Sequence, residues 1–255
     1  MAQIGGGFSM SDGRKASAAF SPTSLPGFIE AYKFTPGSSG LWQDSARTTA
    51  ATVATDPVGC VDGLSGVAVQ RIIQATSGNR PVLSANGLDF DGTNDNLLAA
   101  SFGYASQTAL TIVMRYTLNG AGSGAFAGFA SLGNITDQTD GIALNQGNTG
   151  ASAVNTLVGE SNFVSSDLMT STRAFGTYVV ATLTIDGAGR ALYVNGTAEG
   201  TAGAGASMSL AKLGIGGRIQ AGVIMSYYSN ISLSGLIVCG GILGSTDRAN
   251  AEAWV

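Results

Sequence analysis

The sequence predicts an all-β protein, a two-sheet antiparallel jelly-roll sandwich with an extended N-terminal arm and a short C-terminal helix. Three observations predict it. Short β-branched and aromatic runs recur along the chain: "GFIEAYKF", "LTIVMRYTL", "TYVVATLTI", "ALYVNG" and "VIMSYYSNISLSGLIV". Clusters of Gly, Asn and Ser separate them at intervals of about ten residues, the punctuation of many short strands. One stretch, near the C-terminal end, has the composition and start signal of a helix.

Taken in order, residues 1–26 are rich in Gly, Ser and Ala and lack a sustained apolar period, so they form the arm. Residues 27–255 form one jelly-roll domain, since sandwiches of this size commonly stay undivided. In "LTIVMRYTL", Leu110, Ile112, Met114 and Tyr116 alternate with Thr111, Val113, Arg115 and Thr117. The first set faces a core and the second faces water. Asn195-Gly196 is the pair favoured by a two-residue type I′ hairpin, whose central positions both need φ > 0, and it joins "ALYV" to a return strand. The helix is placed at about Thr246 to Trp254, with Ser245 as its cap and Asp247 near the positive end of its dipole.

Composition excludes several functions. Charged residues make up only 11% of the chain, so Ser, Thr, Asn and Gln must carry much of its surface. The net charge is −4 and the twelve Lys and Arg are scattered, with only Arg14 and Lys15 adjacent, which leaves no basic face for nucleic acid. No segment approaches the roughly 20 apolar residues of a membrane helix, and the start has no classical export signal. Cys60 and Cys239 are too few for a disulfide framework; two buried thiols are favoured over a bridge. The sequons at Asn134, Asn195 and Asn230 are the chance triplets of an Asn-, Ser- and Thr-rich chain.

Several segments together resemble the laminin-G-like, concanavalin A-like jelly-roll module of tailed-bacteriophage structural proteins. "SPTSLPGFIEAY" resembles its start, "LWQDSARTTAATVATDPVG" its long opening loop, and "NRPVL" and "LDFDGTNDNL" its first core strands. "LYVNG" is similar to its central hairpin and "YSNISLSGLIVCGGILGSTDRANAEAWV" to its closing strand and helix. Two departures stand out: "SGVAVQRIIQ" occupies a step where related sequences often carry Gly, Asn and His, and the arm before Ser21 has no counterpart. The resemblance implies a virion structural protein, assembled in the host cytoplasm and attached to the particle as a capsid decoration or tail accessory protein. Its partners would then be the major capsid protein or tail proteins, and further copies of itself in a homo-oligomer. The alternative is a glycan-binding tail adhesin that meets a host-surface glycan.

Catalytic motifs are not in view. The four glutamates, Glu30, Glu160, Glu199 and Glu252, each lack another acid within four positions, so the paired carboxylates that this fold uses against β-glucans have no equivalent. Zero histidines exclude Ser-His-Asp, Cys-His and histidine-zinc chemistry, and the reading is of a non-enzymatic protein without a cofactor. The Gly-rich runs at Gly5–Gly7 and Gly214–Arg218 lack the ending and helix of a phosphate loop.

The acidic stretch "LDFDGTNDNLL" raises the one metal question. Asn94 and Ala100 stand where a calcium-binding EF-hand loop starting at Asp89 needs Gly and Glu. The favoured reading is a strand, a turn whose Gly, Asn and Asp side chains satisfy its own backbone, and a return strand. Asp91, Asn94 and Asp95, with backbone oxygens, remain a candidate calcium set. Among the aromatics, Trp42, Tyr104, Tyr227 and Tyr228 are candidates for stacking on sugar rings, Trp42 and Tyr104 foremost, against a core or subunit role. One of Tyr227 and Tyr228 must face outward. In the arm, Ile4, Phe8, Met10 and Phe20 are the apolar residues able to lie along a neighbouring subunit or add a strand to a sheet edge. An inert tail is the competing reading.

Overall fold

The computed structural model describes residues 20–124, 126–133, 141–149, 152–161, 169–203, 208–220 and 223–255. Two antiparallel sheets pack face to face as a jelly-roll sandwich. The front sheet runs, in spatial order, Thr197–Ala202, Arg190–Val194, Tyr178–Ile185, Leu110–Leu118, Asn230–Cys239, Gly87–Asp91 and Val82–Ser84. Phe28–Lys33 pairs with the second half of Asn230–Cys239, beyond the end of Gly87–Asp91. The back sheet runs Met169–Thr172, Ser152–Ser161, Ile142–Thr149, Ala127–Gly133, Lys212–Ile215, Leu97–Ala99, Ile72–Ile73, Cys60–Val61 and Leu41–Trp42.

Alternation builds the core between them. Leu110, Ile112, Met114 and Tyr116 are fully or almost fully buried in the main cluster, where Tyr116 meets Phe129 of the back sheet at a ring separation of 4.8 Å. The other face of the same strand is drier than its sequence suggests. The C-terminal helix lies over it, and Val113 packs with Ala251 and Val255 in a second cluster. Thr111 donates to the carbonyl of Gly241 at 2.7 Å and accepts the amide of Leu243 at 3.2 Å, so only Arg115 and Thr117 keep partial exposure. A strand can therefore carry polar residues outward and still be covered when another element docks on it.

The Asn195-Gly196 hairpin forms as its sequence demands, with φ of 50° and 80° and Val194 opposite Thr197. The helix spans Ser245–Trp254, with Gly244 in the cap position. Ser245 makes no capping bond, which corrects the sequence reading by one residue; Asp247 does lie in the first turn. A larger correction concerns "LDFDGTNDNLL". Gly87–Asp91 belongs to the front sheet and Leu97–Ala99 to the back sheet, so the loop is a corner between sheets and the second strand does not pair with the first. Leu88 and Phe90 enter the core from one side, Leu97 and Ala99 from the other.

Ile4, Phe8 and Met10 lie outside the described residues. Phe20 to Pro26, assigned to the arm by composition, is folded: a 3-10 turn spans Pro22–Ser24, Leu25 is buried, and Phe20 packs partly against the helix cluster. Proline at the start of that turn presets its φ, and the few apolar residues of the segment suffice because the helix already offers a surface.

Candidate functional site

Three two-residue strands at one edge of the back sheet, Leu41–Trp42, Cys60–Val61 and Ile72–Ile73, set up a cleft. Leu41 pairs with Val61 and Val61 with Ile72, and all three face the core. One residue on, Trp42 pairs with Cys60 and Cys60 with Ile73, which places that row on the opposite face. The strands are so short that the residues flanking them are fixed as well. Asp62 follows one strand, Arg71 precedes another, and Arg47 comes from the loop after Trp42.

Asp62 is the hub. Its Oδ2 accepts the indole N–H of Trp42 and Nη2 of Arg47, both at 2.8 Å, and its Oδ1 accepts Nε of Arg71 at 2.7 Å. Arg47 also lies over the Trp42 ring, 5.1 Å from its centroid. Arg47 has φ of 63°, a left-handed conformation that a non-glycine residue adopts only when its surroundings hold it there. Asp44 supplies part of that hold, since its carboxylate caps the loop by accepting the amides of Thr48 and Thr49 and the Thr48 hydroxyl. These bonds keep the Asp44 carboxyl below the usual range, the Thr48 hydroxyl contributing most.

The resulting cavity has a volume of about 220 Å³ and is lined by Arg47, Asp62, Gly63, Gly66, Val67 and Arg71. Side-chain exposures of 36% for Arg47 and 29% for Arg71 place both guanidiniums at its mouth. Beneath Gly63 lies Glu30, fully buried. Its Oε1 accepts the amides of Ala31 and Ser65, each at 2.9 Å, and its Oε2 accepts the Ser65 hydroxyl. Burial raises the Glu30 pKa, and those bonds partly offset the rise. On the far side of Arg71 runs an apolar trough bordered by Ala68, Val69, Ile73, Ala75, Leu98 and Ala100, so Arg71 belongs to both walls.

Burial pushes the Cys60 thiol up to about 11 and the Cys239 thiol up to about 12, which keeps both protonated and unreactive at neutral pH; both are free and buried. The described glutamate side chains are occupied: Glu30 as above, Glu199 with Arg173 and Ser171, and Glu252 with the Thr182 hydroxyl at 2.7 Å.

The other residues singled out by sequence fall elsewhere. Tyr104 lies on Tyr104–Gln107, which pairs with Met208–Leu210, and it packs on Phe102 with ring centroids 5.8 Å apart. It does not line the cavity beside Trp42. Tyr227 and Tyr228 are both half-buried, and Arg218 sits 6.0 Å from the Tyr227 centroid. Asp91, Asn94 and Asp95 do meet, at the corner between the sheets. There Asp91 Oδ1 accepts the amides of Thr93 at 2.7 Å and Asn94 at 3.2 Å, and Asp95 Oδ2 accepts the amide of Asp91 at 3.1 Å. The carboxylate oxygens thus serve the turn, and among the described residues no three Asp, Glu, Cys or His side chains gather as a metal set.

Arg47, Asp62 and Arg71 were not legible as a site beforehand. Their spacing matches no motif, and only the pairing of three strands brings them within reach of Trp42.

No protein-family model matches the sequence, and no curated protein matches it. Among solved structures, it is similar to the Trypanosoma rangeli sialidase in complex with 2,3-difluorosialic acid, at 12% identity and a TM-score of 0.56. That match covers 89% of this chain and 33% of the sialidase, so the chain spans about a third of the enzyme's length. It is also similar to domain 4 of a GH43 extracellular arabinanase from Geobacillus stearothermophilus, in complex with arabinotriose, at 10% identity and a TM-score of 0.52. There 89% of this chain covers 99% of the domain. At such identities the likeness shows the jelly-roll sandwich alone, without pointing to the phage module that the sequence segments resemble.

Proposed function

We propose that this chain is a non-enzymatic carbohydrate-recognition sandwich carried on the surface of a tailed-phage virion, as an adhesin or accessory protein. One observation carries the recognition reading: the Arg47–Asp62–Arg71 cleft, in which two guanidiniums converge on Asp62, itself held by the Trp42 indole N–H, beside a strained and capped loop. Backbone strain of this kind concentrates at binding and catalytic sites. The occupied glutamates support binding over hydrolysis. The complexes of the two similar folds with a sialic acid derivative and with arabinotriose support a sugar as the ligand class. The virion setting rests on the resemblance of the sequence segments to phage modules.

A second reading, a capsid decoration protein, is favoured by the exposed apolar side chains of Val53, Leu64, Val67, Val69 and Ile73, a surface suited to subunit contact. A glycan array probed with the purified chain tests the first reading. Reproducible binding that is lost in Arg47→Ala supports it. Binding to no glycan, together with hundreds of copies per particle, would favour the decoration reading.

A further inference from the structure

We propose that the cleft is a carboxylate-binding subsite, and that the ligand is an acidic oligosaccharide whose carboxylated sugar docks on the free end of Arg71. This rests on the carbohydrate reading above and adds the chemical class of the sugar.

Arg71 is held in the cleft through one nitrogen. Its Nε donates to Asp62 Oδ1 at 2.7 Å, which fixes the plane of the guanidinium, while its two terminal nitrogens donate to no group among the described residues. A guanidinium offers two parallel N–H bonds along its end, a spacing that matches the two oxygens of a carboxylate. Arg47 is similar: one Nη2 bond to Asp62 and no other bond among the described residues, with Nε buried and without a partner and the side chain as a whole 36% exposed. Asp62 already shows that this pair of arginines accepts a carboxylate in the cleft.

Charge selects the class of anion. Two guanidiniums against one Asp62 carboxylate leave the cleft walls with one positive charge. Glu30 lies directly beneath Gly63 and adds negative potential from below whenever it is ionised. A singly charged carboxylate meets less repulsion from Asp62 and the underlying Glu30 than a dianionic phosphate would. The cleft is also small, about 220 Å³, enough for one carboxylated ring edge. Beyond Arg71 the surface turns apolar at Val69, Ile73 and Leu98, which suits the C–H face of the adjoining sugar.

Calorimetric titration of the full chain tests this with oligogalacturonate, its methyl ester, sialyllactose, dextran sulfate and neutral arabinotriose. At least one of the two carboxylated ligands should bind, and methyl esterification of oligogalacturonate should weaken its binding about tenfold or more, the loss of a charge-assisted pair. Arg71→Gln should do the same while the melting temperature holds, because Trp42 and Arg47 still anchor Asp62. Val69→Glu, on a side chain 55% exposed, should repel the carboxylate without disturbing the fold. Equal affinity for acid and ester, full binding by Arg71→Gln, or tighter binding of dextran sulfate would overturn the carboxylate assignment. Binding of arabinotriose alone would overturn it and leave the carbohydrate reading standing; binding of none of the five would remove both.

Discussion

Asp91 and Asp95 brace one another across the corner that carries the chain from the front sheet to the back sheet. The Asp91 amide donates to Asp95 Oδ2 at 3.1 Å, and the Asp95 amide approaches Asp91 Oδ1 at 3.4 Å. Asp95 is 7% exposed, and burial, reinforced by the neighbouring Asp91 charge, raises its pKa from 3.8 to about 7.

A pH dependence follows. A carboxyl whose pKa is higher in the folded state binds a proton more tightly there than when unfolded. Its contribution to stability is fully present below pH 3.8 and is lost as the pH rises to about 7. Asp95→Asn keeps an oxygen for the Asp91 amide and carries no charge. The variant should therefore gain roughly 1 to 3 kcal/mol relative to the parent at pH 8, and little at pH 4. Urea midpoints of both proteins at the two pH values check this. A constant difference across pH would show that Asp95 does not titrate in this range.

Gly63 is required for a different reason. A Cβ built there falls 2.1 Å from the carboxyl carbon of Glu30 and 2.3 and 2.5 Å from its oxygens. Gly63→Ala must push that carboxylate away from the amides of Ala31 and Ser65, leaving a buried charge without its donors. A loss of about 3 kcal/mol or more is expected. Glu30→Ala in the same chain frees the space, so the double variant should be more stable than the sum of the two single losses predicts. Additive losses in denaturant titrations would mean that the two residues do not collide.

The sandwich core has its own test at Phe129, which is fully buried and packs at a tilt of 41° against Tyr116. Phe129→Ala should cost about 3 to 5 kcal/mol through lost burial and a residual cavity. At 2 to 4 °C per kcal/mol for a domain of this size, calorimetry should register a fall of roughly 10 °C. A fall under a few degrees would show that the two sheets close over the gap.

Those residues also mark what could be read in advance. Leu110–Leu118 and the Asn195-Gly196 hairpin were legible because alternation and positive-φ turns are local properties of sequence. Ala127–Gly133, which carries Phe129, was not: "AGFASLG" is mostly small residues, and every one is buried because both faces of the strand are covered. The corner at Asp91 has the composition of a hairpin turn, and only long-range pairing decides that Leu97 joins the other sheet. The cleft was half legible. Trp42 stood out as an aromatic in a polar loop, whereas Arg47, Asp62 and Arg71 are ordinary until three strands register beside one another. Composition likewise placed the arm boundary at Pro26 because it could not foresee the helix surface waiting for Phe20.

Phe20 divides the N-terminal segment into two testable parts. Its ring lies with Asn250, Ala253 and Trp254 at a trough beside the C-terminal helix, and the same helix is tied down by Lys33, which sits 4.7 Å from the Trp254 centroid and donates to the Val255 carbonyl at 3.1 Å. Half-burial of a Phe ring is worth about 1 to 2 kcal/mol, so Phe20→Ala should lower the melting temperature by several degrees. Ile4, Phe8 and Met10 are then the apolar residues left to act as a tether on the virion reading. Deleting residues 1–19 while keeping Phe20 should leave the melting temperature unchanged and reduce incorporation into particles. The two variants separate folding from attachment, since Phe20→Ala perturbs the helix contact and leaves Ile4, Phe8 and Met10 in place. Full occupancy of particles by the deleted chain would mean that attachment uses a face of the sandwich, with the exposed valines beside Arg71 as the first surface to mutate.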